Sequence, residues 1–258
     1  MHAALRYLRL WTAFARYGLT RELAFRMNFV LKVTVEALWL GILLVFWQRV
    51  FVYTPVVATW TQEEYLFFVG CYFALGAMIE TLFLANCGEF ADLIRSGDLD
   101  FYLLQPIDEQ FLITCRNIDW STVPTVLLGS AVMIYALLHN PAWSFDPLRA
   151  ALFVVLFACG TALAYSFLLL LTSSSVWLIR NQSLYEIWWL VTTLWRYPRE
   201  IFSLVIPIML VTNVPAQTMV RLLDPVAVAY TVFATGVLLY VSRRFFRFAL
   251  RKYRSASS

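Results

Sequence analysis

Five ionisable residues stand within or at the rims of apolar stretches of this chain: Glu36, Glu80, Arg116, Asp119 and Glu186. A charge at the centre of a bilayer costs about 2.5–3.5 kcal/mol on insertion scales, so such groups face protein, water or a partner charge. Arg116 and Asp119 are three apart, a spacing that lets them pair on one helix face. For Glu80, a pairing role between helices and a place along a cargo path are both open. An enzyme's constellation is missing. The two histidines, His2 and His139, lie at opposite ends of apolar segments. Cys71, Cys87, Cys115 and Cys159 show no metal-binding or disulfide spacing. There is no Gly-x-Ser-x-Gly and no His-Glu-x-x-His. Lys32 and Lys252 are the only lysines, and neither sits in a phosphate-binding Gly-rich loop.

The elements that must position these residues are membrane helices. Apolar blocks run through 29–51, 65–85, 123–138, 148–179 and 226–241, and a bilayer core of about 30 Å needs roughly 20 apolar residues as a helix. Charged residues make up 14% of the chain, against about 25% for soluble domains, which leaves no polar segment for a soluble catalytic domain. The expected fold is an all-α polytopic membrane protein in one transmembrane domain. Spans are expected at about 29–52, 63–86, 110–138, 148–178, 183–197 and 225–242. Residues 198–224, interrupted by Pro207 and Pro215, read as a segment re-entering from the outer side, because 201–214 is too short to cross comfortably. A single long broken span over 183–214 is the alternative.

Residues 1–27 alternate Arg6, Arg9, Arg16, Arg21 and Arg26 with Leu5, Leu8, Leu10, Trp11, Phe14 and Tyr17. This pattern predicts a helix lying in the membrane interface, arginines toward anionic headgroups. A basic tail follows at 243–258. With both termini basic, and with 53–64 and 139–147 free of Lys and Arg, the positive-inside rule places both ends in the cytoplasm.

The stretch 87–107 is the expected cytoplasmic loop, and it is acidic where an inside loop is normally basic. Glu89, Asp92, Asp98 and Asp100, followed by Asp108 and Glu109, face a single Arg95. Phe90, Leu93 and Ile94 share one face of a short helix over Gly88–Ser96, Gly97 suits its C-terminus, and Asp98 or Asp100 could cap the next element. Gln105-Pro106 marks the turn into the third span. An amphipathic helix with exposed apolar and acidic groups reads as a docking surface, since an anionic leaflet would repel it.

Arg95-Ser-Gly97-Asp98-Leu-Asp100-x-x-Leu-Leu-x-Pro106 resembles the Arg-x-Gly-x-(Leu/Ile)-Asp-x-x-Leu-x-x-Pro pattern of ABC-2 type transporter permeases, in a poorly characterised bacterial branch of ABC-2 family transporter proteins. Arg196-Tyr-Pro-Arg-Glu-Ile-Phe, Ile206-Pro207 and Asn213-Val-Pro215-Ala are similar to the same branch, although Arg196 departs from the small or polar residue expected there. The resemblance covers essentially the whole chain. It implies an exporter permease of the bacterial cytoplasmic membrane that forms its path with a second permease subunit, identical or paralogous. It also implies a separate ABC ATPase that binds ATP and Mg and docks on Gly88, Glu89, Phe90, Asp92, Leu93 and Arg95. Membrane lipid is the other partner; nucleic acid is not expected, and this chain is expected to hold no cofactor and to have no ATPase activity alone. A gradient-driven carrier or channel is the alternative, and a membrane-embedded enzyme a further one. A carrier would predict more intramembrane acids and inverted-repeat halves, and no such repeat is visible.

Overall fold

The structure is a computed structural model that describes residues 2–24, 26–57, 59–141, 143–178, 181–195, 210–221 and 225–253. The described residues are helical apart from connecting turns and one isolated bridge between Val57 and Trp60. In order, the helices are α1 (His2–Ala24), α2 (Arg26–Tyr53), α3 (Gln62–Ile79), α4 (Ala85–Ser96), α5 (Leu99–Leu103), α6 (Glu109–Cys115), α7 (Val123–His139), α8 (Pro147–Leu178), α9 (Asn181–Trp195), α10 (Leu210–Val220) and α11 (Pro225–Lys252). Helix is the form that satisfies every backbone group inside its own segment when lipid is the solvent. Among the described residues, five stretches are long and apolar enough to cross a membrane: Arg26–Tyr53, Gln62–Ser96, Trp120–His139, Pro147–Leu178 and Pro225–Lys252. The helix at the expected fifth span, α9, has 15 described residues and does not reach that length.

Local sequence sets the helix starts. Thr61 and Glu64 form a reciprocal capping box at α3: Thr61 Oγ1 accepts from the Glu64 amide and the Glu64 carboxylate accepts from the Thr61 amide at 3.0 Å. Asp146 accepts from the Leu148 amide at 2.9 Å, with Pro147 opening α8, and Pro225 opens α11. In α3 the ladder widens into one π turn, Glu80–Leu84, and continues into α4, giving an unbroken 35-residue rod.

α3 is the central helix. Against α7 the backbones nearly touch: a Cβ on Gly70 would stand 2.7 Å from the Gly129 carbonyl oxygen, and one on Gly129 would stand 2.7 Å from the Ala74 amide. Lipid offers no hydrophobic push between helices, so close packing of small residues holds this crossing. α8 and α10 cover another side. Pro215 lies inside α10 and cannot donate to the Val211 carbonyl, which instead closes on Gly160 of α8, where no Cβ would fit. The main core gathers Trp47, Phe51, Trp60, Tyr65 and Phe68, and a second core gathers Phe90, Leu99, Ile113, Leu169 and Phe246. α2 is peripheral: Leu40, Leu43, Trp47 and Phe51 face inward, while Val35, Leu38, Trp39, Ile42, Val45 and Phe46 face out.

Several expected boundaries shift. The third span does not run 110–138 as one helix: α6 stops at Cys115, and helix resumes at Trp120. The cause is side-chain competition for the backbone. Asn86 Oδ1 accepts from the Asn117 amide at 2.8 Å and Asn86 Nδ2 donates to the Asn117 carbonyl at 2.7 Å, so neither group joins a helical ladder. The Asp119 amide donates to the Thr81 carbonyl in the π turn at 3.0 Å. The last span runs past 242 to Lys252, because Ser242, Phe246 and Ala249 remain buried at helical spacing and no breaker intervenes. The expected basic tail is therefore helical through most of its length. The helix expected over 1–27 is present as α1, His2–Ala24, and Arg26 already opens α2. Of the expected re-entrant segment, 198–209 and 222–224 lie outside the described residues. α10 runs from the level of Gly160 to Arg221, which meets Glu64 at 3.2 Å at the end of the bundle opposite the basic termini. The second family-like motif, Arg196 to Phe202 with Ile206 and Pro207, also lies outside the described residues.

Candidate functional site

Two assemblies hold most of the candidate charged residues, one at the basic end of the bundle and one beside the spans nearest it.

At the basic end, the expected separate amphipathic helix is the terminal part of the α3–α4 rod. Its Gly88–Ser96 apolar face is not exposed. Phe90 is fully buried and meets Phe246 of α11 at 6.0 Å between ring centroids, with Leu93 and Ile94 packed on the same core. The rod could not present that face outward because α8 and α11 cover it. Gly97, at φ 79°, ends the helix in the left-handed conformation that glycine adopts without strain. Asp98 then stands at the start of α5 but does not cap it; its carboxylate accepts from Ser96 Oγ at 2.8 Å. The turn leaves Phe101 68% and Leu104 80% exposed. Around them lie Asp92, paired with Arg95 at 2.8 Å, and Asp98, both exposed, with Asp100 half-buried on α5.

Behind this tip, Arg116 is the organising residue. It does not pair with Asp119: the helix break at 116–119 sends the two side chains to different partners. The Arg116 guanidinium bonds the Glu89 carboxylate and the Tyr102 hydroxyl, and lies 4.7 Å from the Tyr102 ring centre. Asn117 Nδ2 adds a bond to Glu89 at 3.1 Å. Glu89, expected at the docking surface, is thus committed to an internal link between α4 and α6. Asp108 caps α6 through the Phe111 amide at 3.2 Å and meets Arg243 at 2.7 Å and Arg247 at 3.8 Å. The Tyr7 hydroxyl accepts from the Asp108 amide at 3.1 Å, and Arg6 donates to the Pro106 carbonyl at 3.0 Å, so α1 and α11 both grip the end of this loop. α1 continues across to Trp120, whose indole donates to the Ala15 carbonyl at 2.8 Å.

Beside the spans, Lys32 and Glu36 of α2, Glu80 at the π turn, Asp119, Ser121 and Thr122, and Trp189 of α9 line one cavity of about 440 Å³. A π turn is an uncommon element often placed at functional sites. Here it lifts Glu80 to the cavity wall and frees the Thr81 carbonyl for Asp119. The Lys32 ammonium donates to Asp119 at 3.0 Å and to Ser121 Oγ at 2.8 Å. Thr81 and Thr122 share a hydroxyl bond at 2.6 Å. Asp119 stands in the helix break, just outside the span that begins at Trp120. Burial alone would raise its carboxyl, but hydrogen bonds from Ser121 and from Lys32, with the nearby ammonium charge, outweigh it and hold the group below the ordinary aspartate value. A carboxylate lowered in the folded chain stabilises it above the unfolded value of about 3.9, and that contribution is lost as pH falls through the folded value. We therefore expect a melting temperature insensitive to this group from pH 7 to about pH 4 and falling below it, with the acid limb flattened in Asp119→Asn, as thermal unfolding across pH would show. Glu186 is exposed on α9 and is not part of this cavity lining.

The structure thus brings together Glu36, Glu80 and Asp119, separates Arg116 from Asp119, and moves Pro106 and Asp108 into the α1 and α11 contacts. Sequence reasoning missed Lys32 as the partner of Asp119, Tyr102 as that of Arg116, and the exposed pair Phe101 and Leu104. Asn86, an amide following the apolar run Leu82–Ala85, and the polar cluster Arg116, Asn117 and Asp119 inside the expected third span were the available signal for the helix break.

Comparison with known proteins adds one match. A search of curated proteins and one of solved structures each found no match. The family model described as ABC-2 family transporter protein matches residues 37–257, from within α2 to beyond α11, leaving α1, Lys32 and Glu36 outside it. With that match over most of the chain and with the spans described above, this multi-pass membrane protein belongs to the ABC-2 family of transporter proteins, as a permease.

Proposed function

We propose that the chain is the membrane-spanning subunit of an ABC exporter. It works with a second permease subunit, identical or paralogous, and is driven by ATP hydrolysis in a separate cytoplasmic ABC ATPase. The basic end, with Arg6, Arg9, Arg16, Arg243 and Arg247, is the cytoplasmic end, because the basic residues concentrate there while 53–64 and 139–147 at the other end contain no Lys or Arg. Both termini are then inside a bacterial cytoplasmic membrane, and α1 lies in its inner interface.

The observation that carries the reading is the tip of the α3–α4 rod. Phe101 and Leu104, on α5 and just after it, are exposed beyond the end of a rod that runs through the centre of the bundle, in a stretch that also carries Asp98 and Asp100. Large apolar side chains in a polar rim at a cytoplasmic tip make a docking anchor. A partner seated there pushes on a rod whose far part packs against α7, α8 and α10. The docking contact moves accordingly from the Phe90 face to Phe101 and Leu104, with Asp92 and Asp98 as its charged rim.

Purification of the tagged chain from its native membrane in a gentle detergent tests this. A stoichiometric ATPase chain is expected, and Phe101→Asp with Leu104→Asp should remove it while the melting temperature stays within a few degrees, since both side chains are already exposed. A preparation that keeps its fold and holds no ATPase sinks the permease reading and favours a gradient-driven carrier, for which Glu36 and Glu80 would be the proton- or ion-handling groups.

A further inference from the structure

We infer that the 440 Å³ cavity between α2, the π turn and α9 binds an organic cation with an apolar body. Its size falls in the range of small-molecule sites, roughly 300–1,000 Å³. The lining is of two kinds. Leu31, Val35, Leu84 and the half-exposed indole of Trp189 form apolar and aromatic walls; Lys32, Glu36, Glu80 and Asp119 supply charge. The charges do not cancel. The Lys32 ammonium is taken by Asp119 and Ser121, so among the described residues of this lining an anion would find no free cation. Glu36 and Glu80 have no ion-pair partner within 4.0 Å among the described residues, although they stand in spans where a carboxylate needs one.

A positive centre seated between these two carboxylates supplies the missing charge, and the Trp189 ring adds attraction for a weakly hydrated cation. A metal ion is a poorer fit, because no group of three or more His, Cys, Asp or Glu among the described residues could hold one. Apolar walls suit a ligand that reaches the site from the bilayer. That the bound cation is cargo rests on the permease reading; that it binds does not.

The test uses the full chain alone in lipid nanodiscs and radiolabelled tetraphenylphosphonium, with tetraphenylborate as the probe of equal shape and opposite charge. Saturable binding of the cation, absent for the borate, is expected. Glu36→Gln with Glu80→Gln should weaken it at least tenfold, and Glu36→Gln alone, at the less buried position, severalfold. Should the double variant fail to fold, the single variant carries the comparison. No saturable cation binding to the native chain, equal binding of the borate, or unchanged binding in a folded Glu36→Gln variant overturns the proposal. ATPase co-purification of the same variants separates the two readings: binding lost with the ATPase retained concerns the cavity alone, and binding retained without an ATPase counts only against the permease.

Discussion

Gly129→Leu is expected to leave the protein without a stable fold. The Cβ of any residue at Gly129 would stand 2.7 Å from the Ala74 amide and 2.8 Å from the Gly70 carbonyl, both backbone atoms that cannot rotate away. The smallest change, Gly129→Ala, sets two effects against each other. Alanine favours helix over glycine by about 1 kcal/mol. Against this, forcing α7 off α3 costs about 1–3 kcal/mol and breaks the packing that is the main attraction between helices in lipid. The second effect wins, so Gly129→Ala is expected to lower the melting temperature by several degrees, and Gly129→Leu to give aggregated material on size-exclusion chromatography. Gly70→Ala should do the same, and the two together should cost less than their sum, because they disrupt one crossing. Gly76 is the control: it lies in α3, and a Cβ added there would meet nothing within 4 Å, so Gly76→Ala should leave the melting temperature unchanged or raise it slightly. If Gly76→Ala and Gly129→Ala melt alike, the close crossing is not what holds α3 to α7.

Arg116→Leu is expected to have the second largest effect, and to act on both stability and partner binding. Removing one member of a fully buried ion pair costs about 3–5 kcal/mol, while an exposed pair is worth less than about 1 kcal/mol. Arg116 is 14% exposed and Glu89 46%, which places the loss between these, at about 2 kcal/mol. Tyr102 loses its hydroxyl partner and its cation stacking in the same step. Because Tyr102 sits on α5 beside Phe101, the tip loses its support, and ATPase co-purification should fall more than the melting temperature alone would explain. Arg116→Lys should recover only part of both, since one ammonium cannot serve the carboxylate, the hydroxyl and the ring as a planar guanidinium does. Equal recovery by lysine would reduce Arg116 to a generic positive charge.

Membrane spans were readable in the sequence because a bilayer imposes a one-dimensional rule, length of apolar run, which Arg26–Tyr53 and Pro147–Leu178 obey without reference to any other segment. The stop at Gly97 was readable for the same reason, since capping chemistry is local, and the Thr61 box and Pro147 show the same chemistry at helix starts. The Arg95–Pro106 pattern likewise pointed to the family that the match over residues 37–257 shows.

What the sequence could not carry were the choices made between segments. Phe90 in an amphipathic stretch has the same pattern whether its face meets a partner or α11; only the packing of α11 buried it. Arg116 and Asp119 have helical spacing, yet Asn86, thirty-one residues before Asn117, took the backbone bonds that a helix through them would need. Lys32 found Asp119 across eighty-seven residues, which left Glu36 and Glu80 lining the cavity with no ion pair within 4.0 Å among the described residues. The sequence by itself determined the apolar solvent of the spanning segments and the stop at Gly97, because burial in lipid and capping depend on nearest neighbours along the chain. The tertiary structure decided which polar group met which, and therefore where the exposed Phe101 and Leu104 and the cavity-lining Glu36 and Glu80 lie, because those pairings depend on distances that sequence separation does not encode.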